Sequence, residues 1–280
     1  MTLTTTRLLT LCGTATALAM FPATTSSATD VTMEFNVANF PDAANLTNPY
    51  LSLGNGETQF FKAETEDGCE WSVVHVAGLE PIDVDPGPGV NILNVRVIED
   101  FEYEDGTCNG PDPLELKEKT FDWYGQDVDQ NVWYFGEDTQ NCDVVNGALV
   151  CNQGSGTWRA FEDGALPGII MLGDPDGGER YRQELAEGVA EDWGKVMNLN
   201  GHPVLRLDDA FDGDLGDCLV TKEWNDLSPG STEQKSYCPN IGLVLIEEHS
   251  GKLVRFELVD APTLAATGSD AFTFRVPPRN

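Results

Sequence analysis

The sequence predicts a mainly β protein, built as a curved antiparallel sheet or a partly open barrel or sandwich with little helix. The first indication is a succession of short runs rich in Val, Ile, Thr and aromatic residues, separated by Gly, Pro, Asn and Asp. The second is a two-residue alternation of large apolar side chains at Val95, Val97, Phe101 and Tyr103, although Glu99 interrupts it. Both features are typical of strands with one buried face.

Turn residues bound each of the clearest runs. The short segment His249–Gly251 predicts a hairpin between the last two, and Asp83–Gly89 is too rich in Pro and Gly to lie within a strand. In chain order, the predicted strands are Gln59–Ala63, Trp71–Val76, Ile92–Tyr103, Leu114–Tyr124, Asn131–Phe135, Gly156–Phe161, Leu219–Trp224, Ile241–Glu247 and Lys252–Val259.

One segment fits two structures. Tyr181, Leu185, Val189 and Trp193 recur at four-residue steps, which is typical of a helix, but Gly188 would weaken that helix by about 1 kcal/mol relative to Ala. As strands, the segment divides into 181–186 and 190–198 with a turn at 187–188. We favour the strands.

The first 28 residues have the features of a secretory signal peptide. Arg7 is the single charge ahead of the apolar stretch Leu8–Phe21, and the small residues Ser26 and Ala28 suit a cleavage site. That stretch is shorter than the about 20 residues of a membrane-spanning helix, so we expect no transmembrane segment. The expected organisation is a signal peptide at 1–28 and one β-rich domain with an N-terminal extension at 29–280. Such a protein is secreted, periplasmic or held at the cell surface.

The cysteines predict disulfides. The six cysteines that follow the signal peptide are an even number, which points to three disulfide bridges, although six cysteines allow about 15 connectivities. Because Asn146–Gly147 lies between Cys142 and Cys151, these two are expected to cross-link a hairpin. The others are paired as neighbours: Cys69 with Cys108, and Cys218 with Cys238.

The charge is strongly negative. The chain has 47 acidic and 16 basic residues, a formal charge of −31 that becomes −32 when Arg7 leaves with the signal peptide. Such a field repels nucleic acid and anionic membranes and favours cations. The negative charge fits either general adaptation to a saline environment or specific calcium binding. The even spread of acidic residues along the chain favours salt adaptation. We expect no required cofactor, with calcium as the candidate ion.

The densest aromatic segment is Phe121–Asp138, which predicts a hairpin turning near Asp129–Asn131. Its aromatic residues form either a platform for a flat or carbohydrate-like ligand, rimmed by carboxylates, or a sheet face packed onto the core. The packing interpretation is the commoner one for aromatics at two-residue spacing. The candidate platform residues, with one from the next predicted strand, are Trp123, Tyr124, Trp133, Tyr134 and Trp158.

The hairpin turn also resembles the start of a calcium loop. Asp127, Asp129 and Asn131 supply oxygen atoms at positions 1, 3 and 5 of such a loop. An EF-hand would then need Gly and Glu where this chain has Val132 and Asp138, so only a looser oxygen cage or a polar turn remains.

Two further acidic segments are candidates for calcium. One contains Asp174, Asp176 and Glu179, and the other is Asp208–Asp217. Their density of carboxylates suits the six to eight oxygen ligands of calcium, and it equally suits a solvated loop of a salt-adapted protein.

The sequence selects no catalytic residue. The G-x-S-x-G pattern is absent, and His75, His202 and His249 lie in unrelated contexts. With 47 carboxylates a glycosidase-like pair can always be drawn, so its availability carries no information.

A set of ordered motifs resembles a family of exported bacterial proteins and lipoproteins of uncharacterised function. The motif D-W-Y-x-Q-D is followed in order by N-V-W-Y-F-G-E-D-T, Y-R-Q-E and A-E-D, and the pattern covers about half of the mature chain. Gln130 replaces the Gly usual in the family's turn, and Cys238 replaces a small residue, which implies a disulfide that many relatives lack. The matching segments are Asp122–Asp127, Asn131–Thr139, Gly156–Trp158, Gly164–Met171, Tyr181–Glu184, Ala190–Asp192 and Glu233–Val244.

A shorter similarity concerns the end of the chain. Tyr237–Val244 followed by a hairpin resembles the end of periplasmic lipoprotein-carrier folds, in which an antiparallel sheet curls around an apolar cavity. The resemblance implies a curved sheet that holds an apolar ligand, and fold analogy alone does not establish a function.

These observations favour an exported, non-catalytic binding protein with an aromatic-lined cleft for a small apolar or carbohydrate-like ligand. The alternatives are a carboxylate-dependent hydrolase of an extracellular polymer and a structural surface or matrix protein with a salt-adapted acidic surface. The oligomeric state is left open. Because acids beside aromatics are better placed than bare acidic loops to line a cleft, the candidate ligand-binding acids are Glu137, Asp138, Glu184, Glu191 and Asp192.

Overall fold

The computed structural model describes residues 29–51, 53–54, 56–84, 91–106, 108, 114–207 and 215–260. Strands make up about 60% of the structure, and its described part contains a single 3-10 turn, Val37–Asn39, and no α-helix. The predicted mainly β fold is therefore confirmed. The predicted signal peptide at 1–28 and residues 208–214 of the second acidic segment lie outside the described residues. No helix in the described part is long and apolar enough to cross a membrane.

The strands are numbered along the chain. They are β1 Thr29–Asp30, β2 Thr58–Thr65, β3 Gly68–Asp83, β4 Ile92–Asp105, β5 Glu115–Gln126, β6 Val132–Val145, β7 Ala148–Gln153, β8 Trp158–Arg159, β9 Gly168–Met171, β10 Glu179–Arg182, β11 Asp192–Gly201, β12 Cys218–Asn225, β13 Thr232–Cys238, β14 Gly242–His249 and β15 Leu253–Val259.

One sheet joins all of these strands. Its order is β1-β10-β11-β12-β13-β14-β15-β2-β3-β4-β5-β6-β7, with β8 and β9 paired to β6, and only β1 and β10 run parallel. The sheet curves until its two ends approach each other without closing. They meet where Leu166 pairs with Leu185 and where Gly168 lies so close to Gln183 that a Cβ at 168 would overlap its carbonyl. The inner face of the curve therefore encloses a cleft.

The main hydrophobic core lies against β5, β6 and β9. The N-terminal segment covers it: Phe35 places its ring 5.8 Å from Trp133 and 5.9 Å from Phe135, edge to face in both pairs. Phe40 packs on the same two rings. Edge-to-face pairs add about 0.5–1.5 kcal/mol each beyond the burial of their surface.

The predicted hairpins and disulfides are confirmed. Cys142 and Cys151 face each other across β6 and β7, and the turn between them places Asn146 and Gly147 at φ 53° and 81°, in the left-handed region that a two-residue hairpin requires. The other two bridges join Cys69 to Cys108 and Cys218 to Cys238. Three disulfides are typical of proteins from oxidising compartments.

Segment 181–198, which fits either a helix or two strands by sequence, is extended, as we expected. Tyr181 lies in β10, Trp193 lies in β11, and Ala186 pairs with Ala190 around the turn. The predicted hairpin between β5 and β6 also forms, and Gln130 in its turn adopts the left-handed conformation at φ 64°.

Several strands differ from those predicted. β6 continues to Val145, ten residues beyond the predicted run, and the predicted strand Gly156–Phe161 shortens to β8. β9 and β13 were not predicted, because β9 has four residues and β13 is polar on both faces.

Candidate functional site

The curved sheet encloses a cleft of about 410 Å³ between β4–β6 on one side and β11–β13 on the other. We call it the acidic cleft. Its lining includes one basic side chain, Lys235, and three aromatic ones, Tyr124, Tyr134 and Trp224. The carboxyl groups of its lining are those of Asp100, Glu102, Glu118, Asp122, Glu137, Glu184, Asp192, Glu223 and Glu233.

Strand alternation puts these acids on the inner face. On β4, Asp100 and Glu102 point into the cleft, whereas Phe101 between them packs on the other side. The register then sets like charges directly opposite each other. Glu102 on β4 faces Glu118 on β5, and Asp122 on β5 faces Glu137 on β6. Like charges opposite each other on neighbouring strands destabilise a sheet, so this lining lowers the stability of the fold.

Lys235 partly offsets this repulsion. Its ammonium donates to Glu223 at 2.8 Å and lies 3.0 Å from Glu233. Burial alone would lower the pKa of Lys235, but the charges of these two carboxylates raise it well above its usual range. The charge of Lys235 in turn lowers the pKa of Glu233. The single ammonium is thus already occupied, and the remaining carboxyl groups share no cation of their own in the described lining.

Tyr134 links two acids from opposite strands. Its hydroxyl is within hydrogen-bonding distance of the carboxylates of Asp122 and Glu137, the latter at 3.0 Å. Burial, and then the charge of Glu137, raise the pKa of Asp122 well above its usual range, although the hydrogen bond from Tyr134 opposes the shift. Burial also raises the pKa of Asp100.

Glu184 lies at the end of this group of acids, 6% exposed. Its carboxyl accepts a hydrogen bond from the indole N–H of Trp158 at 3.1 Å. Burial raises the pKa of Glu184 to about 11, with further contributions from its hydrogen bond to Asp192 and from the charge of Glu137. Glu184 is therefore protonated at neutral pH.

The pKa values of two further glutamates are also raised. Desolvation, followed by the charges of Asp100 and Glu118, raises the pKa of Glu102 to about 8. Desolvation and the charge of Glu233 raise the pKa of Glu248, just beyond the lining, to about 7. At physiological pH the acidic cleft therefore holds protons that a bound cation can displace.

Five of the ten candidate ligand-binding residues line the acidic cleft. They are Tyr124, Tyr134, Glu137, Glu184 and Asp192. The amide of Asn225 donates to Asp192 at 2.7 Å and fixes its carboxylate at the edge of the cleft.

Two candidate tryptophans lie in the core instead. Trp123 and Trp133 are each 3% exposed, and neither lines the acidic cleft. Trp123 packs its ring under the guanidinium of Arg159, 3.2 Å from the ring centroid. Burial in the core accounts for both side chains without a ligand.

The other three candidates lie beside the cleft. Trp158 contacts it through the hydrogen bond to Glu184, and with Asp138 it lines a neighbouring cavity of about 430 Å³. Glu191 caps the turn before β11 by accepting a hydrogen bond from the backbone N–H of Gly188 at 2.8 Å.

Most of the charged lining was not selected from sequence. A usable signal was present in the repetition of acids at two-residue spacing within a strand, as at Asp100 and Glu102. The lining residues that sequence reasoning missed are Asp100, Glu102, Glu118, Asp122, Glu223, Glu233 and Lys235.

The calcium candidates serve local turns. The carboxylate of Asp127 accepts hydrogen bonds from the backbone N–H groups of Asp129 and Asn131, both at 2.9 Å, and from the indole of Trp133 at 2.9 Å. In the described residues, no group of three or more His, Cys, Asp or Glu side chains is arranged to hold a metal ion. Calcium binding at this turn stays a prediction.

The acidic segment that contains Asp174, Asp176 and Glu179 also forms a turn. Glu179 accepts a hydrogen bond from the backbone N–H of Asp176 at 2.7 Å, and Asp174 is exposed. The carboxylates of this segment therefore stabilise the approach to β10, and calcium binding here is likewise untested.

Asp127→Ala is expected to lower the free energy of unfolding by about 2–4 kcal/mol, because it leaves the buried donors of Asn131 and Trp133 unpaired. Asp129→Ala is the matched control. The side chain of Asp129 is exposed in the same turn, and its removal should lower the free energy of unfolding by less than about 0.5 kcal/mol. Urea unfolding of both variants gives the comparison. Equal midpoints would contradict the structural role of Asp127.

Comparisons of this chain with protein-family models, with curated proteins and with solved structures found no match.

Proposed function

We propose that this is an exported, non-catalytic binding protein whose acidic cleft holds an organic cation with several amino groups, of the aliphatic polyamine class. The observation that carries the proposal is the ratio of charges in the lining: nine carboxyl groups and one ammonium, that of Lys235. A cleft of about 410 Å³ is within the range of small-molecule sites.

The charges supply the driving force. Carboxyl groups held close together in a partly desolvated cleft either keep protons or gain a counter-cation. A polyamine brings several ammonium groups at a spacing that a single metal ion cannot provide, and each can contact a different acid. Asp100, Glu102 and Glu118 form one acidic group on β4 and β5, and Glu137, Glu184 and Asp192 form a second.

The aromatic lining fits the same ligand. Tyr124 and Tyr134 lie edge to face, with ring centroids 5.1 Å apart, and both border the cleft. A ring face beside an ammonium group contributes about 0.5–2 kcal/mol through cation–π attraction. Because carboxyl groups outnumber aromatic rings in the lining, we propose a cationic ligand in place of the apolar one expected from the sequence.

Export rests on separate support. The signal-like N-terminus predicts secretion, and three disulfides suit an oxidising compartment. A binding protein placed there would capture its ligand outside the cytoplasm.

The proposal is tested by calorimetric titration with spermidine, and with triethylene glycol as a neutral ligand of similar length. We expect spermidine to bind and the glycol not to bind. Glu102→Gln/Glu118→Gln should weaken spermidine binding by about tenfold or more.

The matched control is Glu64→Gln/Glu66→Gln, which removes two exposed charges away from the cleft and should change affinity by less than about twofold. Equal losses in the two double variants would refute a specific site, because the effect would then come from net charge alone.

A second candidate is a carboxylate-dependent hydrolase of an extracellular polymer. It is favoured by one observation: Glu184, which holds its proton at neutral pH, lies beside Asp192 and Glu137. A carboxylic acid that keeps its proton, with a second carboxyl group beside it, is an arrangement that general acid–base catalysis uses. Release of reducing ends from a polysaccharide, abolished in Glu184→Gln, would establish it.

A further inference from the structure

Basic side chains concentrate on the outer face of β10, β11 and β12. Strand register aligns Arg180, Lys195 and Lys222 in one row across the three strands. Neighbouring strands lie about 4.8 Å apart, so the row is a regularly spaced line of cations. On a chain with a charge of −31, such a line on one face is unusual.

A second row lies beside the first, two residues along each strand and therefore on the same face. It consists of Arg182, Trp193 and Trp224. The two indole rings are nearly parallel, at 10°, with centroids 6.2 Å apart, and the Arg182 guanidinium lies 4.0 Å from the centroid of Trp193. We call the six residues of the two rows the basic outer face.

One carboxylate orients both rings. Asp226 accepts hydrogen bonds from the indole N–H of Trp193 at 2.8 Å and from that of Trp224 at 3.2 Å, and it lies 3.4 Å from Arg182. Neither tryptophan is buried in the core. Two partly exposed rings held parallel on a sheet surface form a platform that is ordered before any ligand binds.

Two cations of the first row are available to a ligand. Arg180 is paired with Asp30 at 2.6 Å, whereas Lys195 and Lys222 form no ion pair within the described residues. A groove of about 610 Å³ runs along Lys195 and Lys222 to Trp224. The groove therefore combines two ammonium groups, which can bind anionic groups of a ligand, with an indole ring, on which a flat apolar surface can pack.

We propose that the basic outer face binds an acidic oligosaccharide, with uronate carboxylates on Lys195 and Lys222 and a sugar ring against Trp224. Sugar rings present apolar faces that stack on indoles, and carboxylates form charge-assisted hydrogen bonds with ammonium groups. This site goes beyond the proposed function, because Lys195 and Lys222 lie outside the lining of the acidic cleft and bind a ligand of opposite charge, whereas Trp224 lies at the edge between the two sites and borders both.

The charge of the whole protein favours a short anionic ligand over a long polyanion. A single nucleic-acid strand carries about one charge per 3.4 Å, and the surrounding negative field repels such a polyanion strongly. Two unpaired lysines suit a short chain with fewer charges.

The test is a titration with tetragalacturonate at about 20 mM sodium chloride, followed by tryptophan fluorescence, because Trp193 and Trp224 report directly on the site. Maltotetraose serves as the neutral sugar and a four-nucleotide DNA as the nucleic-acid probe. We expect tetragalacturonate to bind more tightly than either.

Lys195→Gln/Lys222→Gln should weaken tetragalacturonate binding by about tenfold or more. Lys117→Gln/Lys252→Gln removes the same charge from two exposed ion pairs elsewhere and should weaken it by less than about twofold. All four residues have exposed or half-exposed side chains, so unchanged melting curves will show that both variants fold. No tetragalacturonate binding, equal losses in the two variants, or preference for the DNA would each overturn the proposal.

Discussion

Glu184→Gln is expected to make the protein more stable at pH 8, by about 1–4 kcal/mol in the free energy of unfolding. Glu184 must hold a proton in the folded state, since burial and its neighbours raise its pKa from the ordinary value of 4.5 to about 11. Gln fills the same space, accepts the hydrogen bond from Trp158 and donates to Asp192, without the proton uptake.

The sign of the pH dependence follows from the same groups. Folded-state pKa values of about 7 for Glu248, about 8 for Glu102 and about 11 for Glu184 exceed the ordinary glutamate value of 4.5, so the folded state binds more protons than the unfolded state. Stability contributed by these groups is therefore present below pH 4.5 and falls as pH rises through 7 and 8.

Thermal unfolding from about pH 5 to pH 9 checks both statements, with about 2–4 °C of melting temperature per kcal/mol for a chain of this size. Glu184→Gln should melt higher than the parent protein at pH 8 and show a weaker decline with pH. Glu66→Gln, an exposed carboxylate outside the cleft, should change neither property. A melting temperature that rises steadily over this pH range would contradict the account.

Lys235→Met is expected to act in the opposite direction and to lower the free energy of unfolding by about 3–5 kcal/mol. The ammonium is bonded to Glu223 and Glu233, and its loss leaves both carboxylates inside the acidic cleft without their cation. Met keeps most of the apolar stem, so the change reports mainly on charge.

Lys252→Met is the matched control. Lys252 pairs with Glu66 at 2.7 Å, but both side chains are more than two-thirds exposed, and such pairs contribute about 0–1 kcal/mol. Urea unfolding compares the two variants. If Lys235→Met were as stable as Lys252→Met, the acids of the cleft would not depend on that ammonium.

The fold was largely predictable from the sequence because period-two patterns and turn residues are local signals. The hairpin at Asn146–Gly147 with its Cys142–Cys151 bridge and the extended form of 181–198 follow from short segments, and the other two bridges join cysteines that follow each other in the chain. The extent of β6 did not, because beyond Phe135 it continues through polar residues that are held by pairing with β5 and β7.

The charged site was less predictable for a physical reason. Lys235 and Glu233 lie on β13, whose sequence is polar on both faces. The face that carries these two charged residues borders the cleft. Hydrophobic alternation cannot reveal a strand whose inner face is charged. Glu102 and Glu118 become neighbours only through the register of β4 and β5, which no local pattern specifies.

The arrangement of the acidic cleft lowers stability without improving packing. Opposed pairs such as Asp122 with Glu137 are unfavourable within a sheet, and strongly perturbed pKa values in a cleft are typical of functional sites. A ligand that neutralises these groups would relieve the repulsion. The stability gained in Glu184→Gln and the ligand affinity lost in Glu102→Gln/Glu118→Gln are therefore two measures of the same site.

The most direct test of the central claim counts the protons released when spermidine binds. Calorimetry at about pH 7.5 in phosphate and in Tris, buffers with different heats of ionisation, measures that number, since Glu102 and Glu248 are partly protonated there. The account predicts a buffer-dependent enthalpy corresponding to about one released proton, and an affinity that increases from pH 6 to pH 8. The same enthalpy in both buffers together with a pH-independent affinity, or the absence of binding, would contradict it.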